Sequence, residues 1–228
     1  MTRTVRVYFD FVSPYSYLAL TRLAAFGARH GVAWEPVPIF YAALLDAHHL
    51  VGPAESLAKR RYTMTDVLRA AELLGVPLVG PPAHPFRSLE ALRVATLFAG
   101  DPRALELSVS LSMACWAEGR DLTDWDVLAD VVGRSGIDAG DLAVRASAPA
   151  VKDALRDRTR STIEAGVFGV PTFELDGELF WGNDRLDHLA ARLDGGLPDL
   201  SARASILENR PRGSDRPGAP ILGEVRGG

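Results

Sequence analysis

An α/β domain interrupted by a large all-helical block is predicted by three features of the chain. Strand-like residues 5–11 run into helix-like residues 17–23 and then into a second strand-like stretch at 32–37. From about Tyr41 to Gly166 the texture changes to Ala-, Leu- and Arg-rich stretches separated by Pro and Gly. Residues 170–175, the pair Asp176-Gly177 and residues 178–181 then read as a strand, a hairpin turn and its returning partner, followed by an amphipathic helix over 185–193.

Each element has a local cause. Leu18, Leu20, Leu23, Ala24 and Phe26 fall largely on one helical face, and the stretch from Gly27 to Gly31 supplies a stop before the second strand. The short connection and intervening helix favour a parallel, right-handed βαβ unit. In the middle block, helices are predicted at 55–74, 87–99, 102–118, 123–133 and 149–165, the fourth starting at Thr123 with Asp124 and Asp126 facing the positive dipole end. Beyond Asp194, and above all over 209–228, Pro, Gly, Arg and Ser leave too little apolar surface to offset ordering entropy, which predicts a flexible tail. The order βαβ, helical block, ββα is that of a thioredoxin-like fold in two discontinuous pieces, 1–40 and 167–195, with a helical insertion over 41–166.

Composition narrows the function. With 228 residues, 47% of them hydrophobic, the chain can bury a substantial core without staples. A net charge of −4 excludes the cationic footprint of a general nucleic-acid binder. The single cysteine, Cys115, stands among Leu111, Met113, Ala114 and Trp116, so no disulfide framework or cysteine metal site can form, and a buried core role is expected of it. This fits a reducing, cytoplasmic setting, and the absence of a long apolar run or a leader-like start predicts neither secretion nor a membrane partner. His48-His49 lack a spaced third ligand, so no metal is expected.

Ser13-Pro14-Tyr15-Ser16 stands where a thioredoxin-like protein carries Cys-x-x-Cys, with serine in place of both cysteines. Ser13 cannot form a mixed disulfide, but as an N-cap with Pro14 behind it its hydroxyl can donate to a sulfur brought in by another molecule. An alkyl thiol has a pKa of about 8.5. Lowering it by two units takes about 2.7 kcal/mol, within reach of a charge-assisted hydrogen bond of roughly 1.5–3 kcal/mol and a helix terminus of about 0.3–1 kcal/mol. A simple helix cap is the competing reading. Val170-Pro171 precedes a strand; a cis bond would present the Val170 backbone to an extended peptide, whereas a trans proline would merely start the strand. Trp181, Gly182, Asn183 and Asp184 combine close backbone approach, helix-start N–H donors and a carboxylate, suited to a zwitterionic amino-acid end. In the insertion, Lys59, Arg60 and Arg61 with Tyr62, and later His84 and Arg87 around Phe86, pair cations with aromatics, either for an aromatic carboxylate or as a solvated face.

The segments 8–18, 167–173 and 180–186 together resemble 2-hydroxychromene-2-carboxylate isomerases, which sit with kappa-class glutathione transferases in the DsbA-like branch of the thioredoxin superfamily. The likeness spans about residues 3–195 and is looser in the insertion. It implies glutathione as cofactor, with Ser13 at its sulfur, Val170 against its backbone, and Trp181, Gly182, Asn183 and Asp184 at its γ-glutamyl end. Lys59, His84 and Arg87 would face the organic substrate, an aromatic carboxylate. The implied reaction is reversible: thiolate adds to a conjugated 2-oxo acid, rotation follows, and elimination gives the other isomer in aromatic compound catabolism. Relatives often pair as homodimers, although no periodic apolar seam marks such a surface here. Two other functions share these residues: a kappa-like glutathione transferase that releases a conjugate, and a redox-inactive module binding a peptide or partner beside Val170-Pro171. A DsbA-type oxidase is disfavoured by the serines.

Overall fold

The computed structural model describes residues 2–210. Four strands form one mixed sheet in the order β2-β1-β3-β4, comprising β1 (Arg3–Phe9), β2 (Val32–Pro38), β3 (Thr172–Leu175) and β4 (Glu178–Trp181). β1 runs parallel to β2 in register from Arg3 opposite Val32 to Phe9 opposite Pro38, and antiparallel to β3, with Val7 opposite Phe173. The β3–β4 hairpin turns at Asp176 and Gly177, both with positive φ, as a two-residue primed turn requires. This is the expected thioredoxin-like sheet.

Alternation along β1 sends Val5, Val7 and Phe9 to one face, into a core shared with α1 (Pro14–Leu20) and α2 (Leu23–His30). Tyr8 points to the other face, where Val37, Ile39, Leu44, Val167 and Val170 form a smaller cluster. The helix predicted to run unbroken past Leu23 is interrupted at Thr21-Arg22, where the Thr21 hydroxyl donates to the Leu18 carbonyl at 2.9 Å. The break has a use: Arg22 reaches across and donates to the Asn183 carbonyl at 3.0 Å. α2 ends at Gly31, whose left-handed φ of 65° accounts for glycine there.

Between β2 and β3 the chain forms α3 (Tyr41–Ala47), α4 (Leu57–Leu74), α5 (Leu89–Leu97), α6 (Ala104–Trp116), α7 (Trp125–Arg134), α8 (Leu142–Ala146) and α9 (Pro149–Glu164). Five correspond to predicted helices. The short α3 and α8 were not predicted, having only one turn or two of pattern to display. α7 is capped by Asp124, whose carboxylate accepts the Asp126 N–H at 2.8 Å, and not by Thr123, whose hydroxyl is taken by Asp121. Leu111, Ala114, Leu128 and Val131 from this block share one continuous core with Val5, Phe9 and Phe173 of the sheet. Burying each large apolar side chain contributes roughly 1.5–3 kcal/mol, so the helical block and sheet stabilise one another. Cys115 is fully buried in that core, and burial pushes its thiol pKa up.

At the C-terminal end, a single turn at Asn183–Arg185 leads into α10 (Leu186–Leu193). An exposed α11 (Ser201–Glu208) follows, in a stretch whose composition predicted no helix. The predicted tail beyond residue 210 lies outside the described residues. No helix among those residues is long and apolar enough to cross a membrane.

Candidate active site

Ser13 is the N-cap of α1, with extended backbone and Pro14 as the first helical residue. Its Oγ accepts the Ser16 N–H at 3.2 Å and lies 3.5 Å from the Val170 carbonyl, to which it can donate. The residue is buried, 9% exposed, at the wall of a cavity of about 810 Å³. That volume suits a small organic ligand.

Long-range contacts tie down the loop that presents Ser13. Asp10, fully buried, accepts the Val12 N–H at 3.0 Å with one carboxylate oxygen and the Tyr41 N–H at 2.9 Å with the other. Burial raises its pKa, opposed by bonds from the Ser88 side chain and from backbone N–H groups. The Trp116 indole N–H donates to the Phe11 carbonyl at 2.9 Å, and His84 Nε2 stands 3.0 Å from the Val12 carbonyl. The Trp116 and His84 rings meet edge to face at 5.4 Å. With Nε2–H donated, His84 Nδ1 carries the lone pair, and that atom is buried without a partner. Burial holds the His84 pKa below its usual range, so the ring is neutral at pH 7.

The Val170-Pro171 and His84-Pro85 peptide bonds are both cis. Val170 and Pro171 line the cavity beside Ser13, and the Pro171 carbonyl accepts the Gly182 N–H at 2.9 Å. Gly182 has φ of 115°, and a Cβ there would stand 2.5 Å from Asp184 Oδ1. Gly169 likewise makes room for the Trp181 indole, which a Cβ would meet at 2.5 Å. Trp181 remains half exposed, edge to face with Phe168 at 4.7 Å. Asp184 pairs with Arg185 at 3.0 Å and keeps most of its carboxylate in solvent.

Ser13, His84, Val170, Trp181, Gly182, Asn183 and Asp184 all line this one cavity. Lys59 and Arg87, the other two residues expected at the substrate, do not. Lys59 is exposed on α4, where each residue turns the side chain by about 100°. Arg87 is engaged at 2.5 Å with Glu90, whose side chain is buried. Arg60, adjacent to Lys59 in sequence, is the α4 cation that lines the cavity. Sequence reasoning also missed Tyr15, whose hydroxyl donates to Asp66 at 2.6 Å on the cavity wall. It missed Asp10 too; the signal was a carboxylate set inside the apolar run Phe9-Asp10-Phe11-Val12.

The cavity residues fit a γ-glutamyl thiol. Ser13 offers a hydroxyl at a helix start, Val170 a backbone edge, and Asp184, whose carboxylate is seated against Gly182, an acceptor for an ammonium group.

A DSBA-like thioredoxin domain model matches residues 4–194. The chain is 32% identical over 196 residues to 2-hydroxychromene-2-carboxylate isomerase of Sphingobium xenophagum, covering 85% of this chain and 99% of that protein. It is 26% identical over 202 residues to glutathione S-transferase kappa 1 of Rattus norvegicus, covering 82% and 89% respectively. A solved 2-hydroxychromene-2-carboxylate isomerase superposes with a TM-score of 0.78 at 30% identity, covering 90% of this chain and 98% of that one. On that likeness, carried through nearly the whole folded region, the chain belongs to the DSBA-like thioredoxin family and, within it, to the 2-hydroxychromene-2-carboxylate isomerases.

Proposed function

We propose that this protein is a glutathione-dependent isomerase of the 2-hydroxychromene-2-carboxylate type, acting on an aromatic conjugated 2-oxo acid in the cytoplasm. The observation that carries the reading is the position of the Ser13 hydroxyl, at a helix start on the wall of an apolar cavity and beside the Val170 backbone. Bound glutathione would supply a thiolate able to add reversibly to the conjugated acid. Ser13 would donate its hydrogen bond to that sulfur in exchange for its long contact with the Val170 carbonyl. The bonds from Trp116 and His84 to the preceding carbonyls hold Ser13 in place, so little reorganisation accompanies the exchange. Asp184 would pair with the γ-glutamyl ammonium, and the Val170 backbone with the peptide part of the cofactor. Phe40, Met64 and Phe86 supply an apolar wall for an aromatic ring.

The test is direct. Purified protein with glutathione should interconvert 2-hydroxychromene-2-carboxylate and its ring-opened isomer, followed by absorbance, with glutathione recovered unchanged. No conversion at saturating glutathione would sink the proposal. The kappa-class likeness favours one alternative, a transferase; stoichiometric loss of glutathione into a conjugate would establish it in place of the isomerase.

A further inference from the structure

The ionisable groups lining the cavity are unequally engaged. Asp66 accepts the Tyr15 hydroxyl, Glu55 accepts the Gly52 N–H at 2.8 Å, Asp184 pairs with Arg185, and Asp10 is buried under two backbone N–H groups. Arg60 differs from all of these. Among the described residues, its guanidinium makes one bond, from Nη2 to the His84 carbonyl at 3.2 Å, and joins no ion pair. A guanidinium has five donors in a planar fork, so most of its capacity for a carboxylate is uncommitted.

Its location adds a second observation. The His84 residue that accepts from Arg60 through its carbonyl also contacts the Val12 carbonyl through its ring, immediately before Ser13. One residue therefore links the cation to the loop carrying the hydroxyl. Met64, one helical turn along α4 from Arg60, and Phe86, two residues past His84, line the same cavity. A flat apolar wall and an unpaired guanidinium together match a planar aromatic acid.

We propose that Arg60 is the receptor for the carboxylate of the organic substrate and sets the preference for acids over their neutral analogues. This deepens the isomerase reading and rests on it for the identity of the acid. Glutathione also carries carboxylates, so the experiment separates the two sources. Calorimetry on the full chain would use trans-cinnamate, its neutral isostere cinnamamide, and glutathione as separate probes. The wild type should bind cinnamate about tenfold more tightly than cinnamamide, as expected for a charge-assisted contact at a partly solvated site. Arg60→Gln should abolish that preference and leave glutathione affinity unchanged. Arg61→Gln, which removes the same charge from the neighbouring residue outside the cavity lining, should preserve both.

Equal affinity of the wild type for acid and amide, or no binding of the acid, would overturn the assignment. Weakened glutathione binding in Arg60→Gln with cinnamate unaffected would overturn it as well, moving the carboxylate to the cofactor. Because cinnamate binding needs no turnover, an Arg60-dependent acid preference in a protein without isomerase activity would refute the isomerase reading alone. Where activity is present, Arg60→Gln should raise KM for the acid with kcat nearly retained.

Discussion

The two ends of the candidate glutathione site are built differently. The loop before Ser13 is largely buried: His84 and Trp116 bond to its carbonyls from elsewhere in the chain, and its own Asp10 ties the Val12 N–H to the Tyr41 N–H. The Trp181–Asp184 segment is half open to solvent, and its carboxylate is shared with an exposed arginine. Fixed, desolvated donors stabilise developing charge, whereas exposed charges mainly attract and hold a ligand. The contrast teaches that changes at the first end should appear in the chemical step and changes at the second in affinity.

The largest expected effect is at Ser13. Ser13→Ala should lower kcat by about 10- to 100-fold and return the bound glutathione thiol toward its ordinary pKa of about 8.5, read by thiolate absorbance against pH. The variant also loses the cap to Ser16, worth about 1 kcal/mol of stability, which denaturant unfolding will report. An unchanged thiolate titration would remove Ser13 from the chemistry and erase the contrast.

Next in size is Trp116→Phe, which leaves the buried Phe11 carbonyl without its donor and should destabilise the fold by about 1–3 kcal/mol. A reduced kcat with unchanged glutathione affinity would sharpen the comparison; a raised Kd with normal kcat would contradict it. Asp184→Ala should raise the glutathione Kd several-fold, an effect limited by exposure, and spare turnover at saturation. Loss of kcat instead would break the comparison from the other side.

The smallest effect concerns pH. His84 is half-buried, and desolvation holds its folded pKa below the ordinary value of about 6.5. Between those two values the unfolded chain binds more protons than the folded one, so this contribution is fully present above the ordinary value and lost as pH falls through the folded one. Thermal melts at pH 7.5 and 5.5 should show a smaller loss for His84→Asn than for the wild type. Identical losses would mean that the ring is not held neutral by its surroundings.

Much of this was legible in the chain. The β3–β4 hairpin was written in Asp176-Gly177 between alternating apolar residues, and the cap at Ser13 in its neighbour Pro14, because both are local. The break at Thr21-Arg22 was not, since the apolar face continues through it and the partner of Arg22 is Asn183, 161 residues away. Nor was the choice among Lys59, Arg60 and Arg87: alike in charge, they are separated by helical rotation along α4 and by the carboxylate of Glu90, which engages Arg87.

By itself the sequence determined the element order, the hydroxyl in place of a thiol at the start of α1, and the residue types opposite it, because strand alternation, capping and turn chemistry act over a few residues. Only the tertiary structure decided that Trp116 and His84 converge on the Ser13 loop, that Asp10 ties this loop to Tyr41, and that Arg60 is the α4 cation facing the cavity. Those contacts join residues up to 105 positions apart, and such pairings depend on how helices pack and rotate against the sheet, which no local pattern encodes.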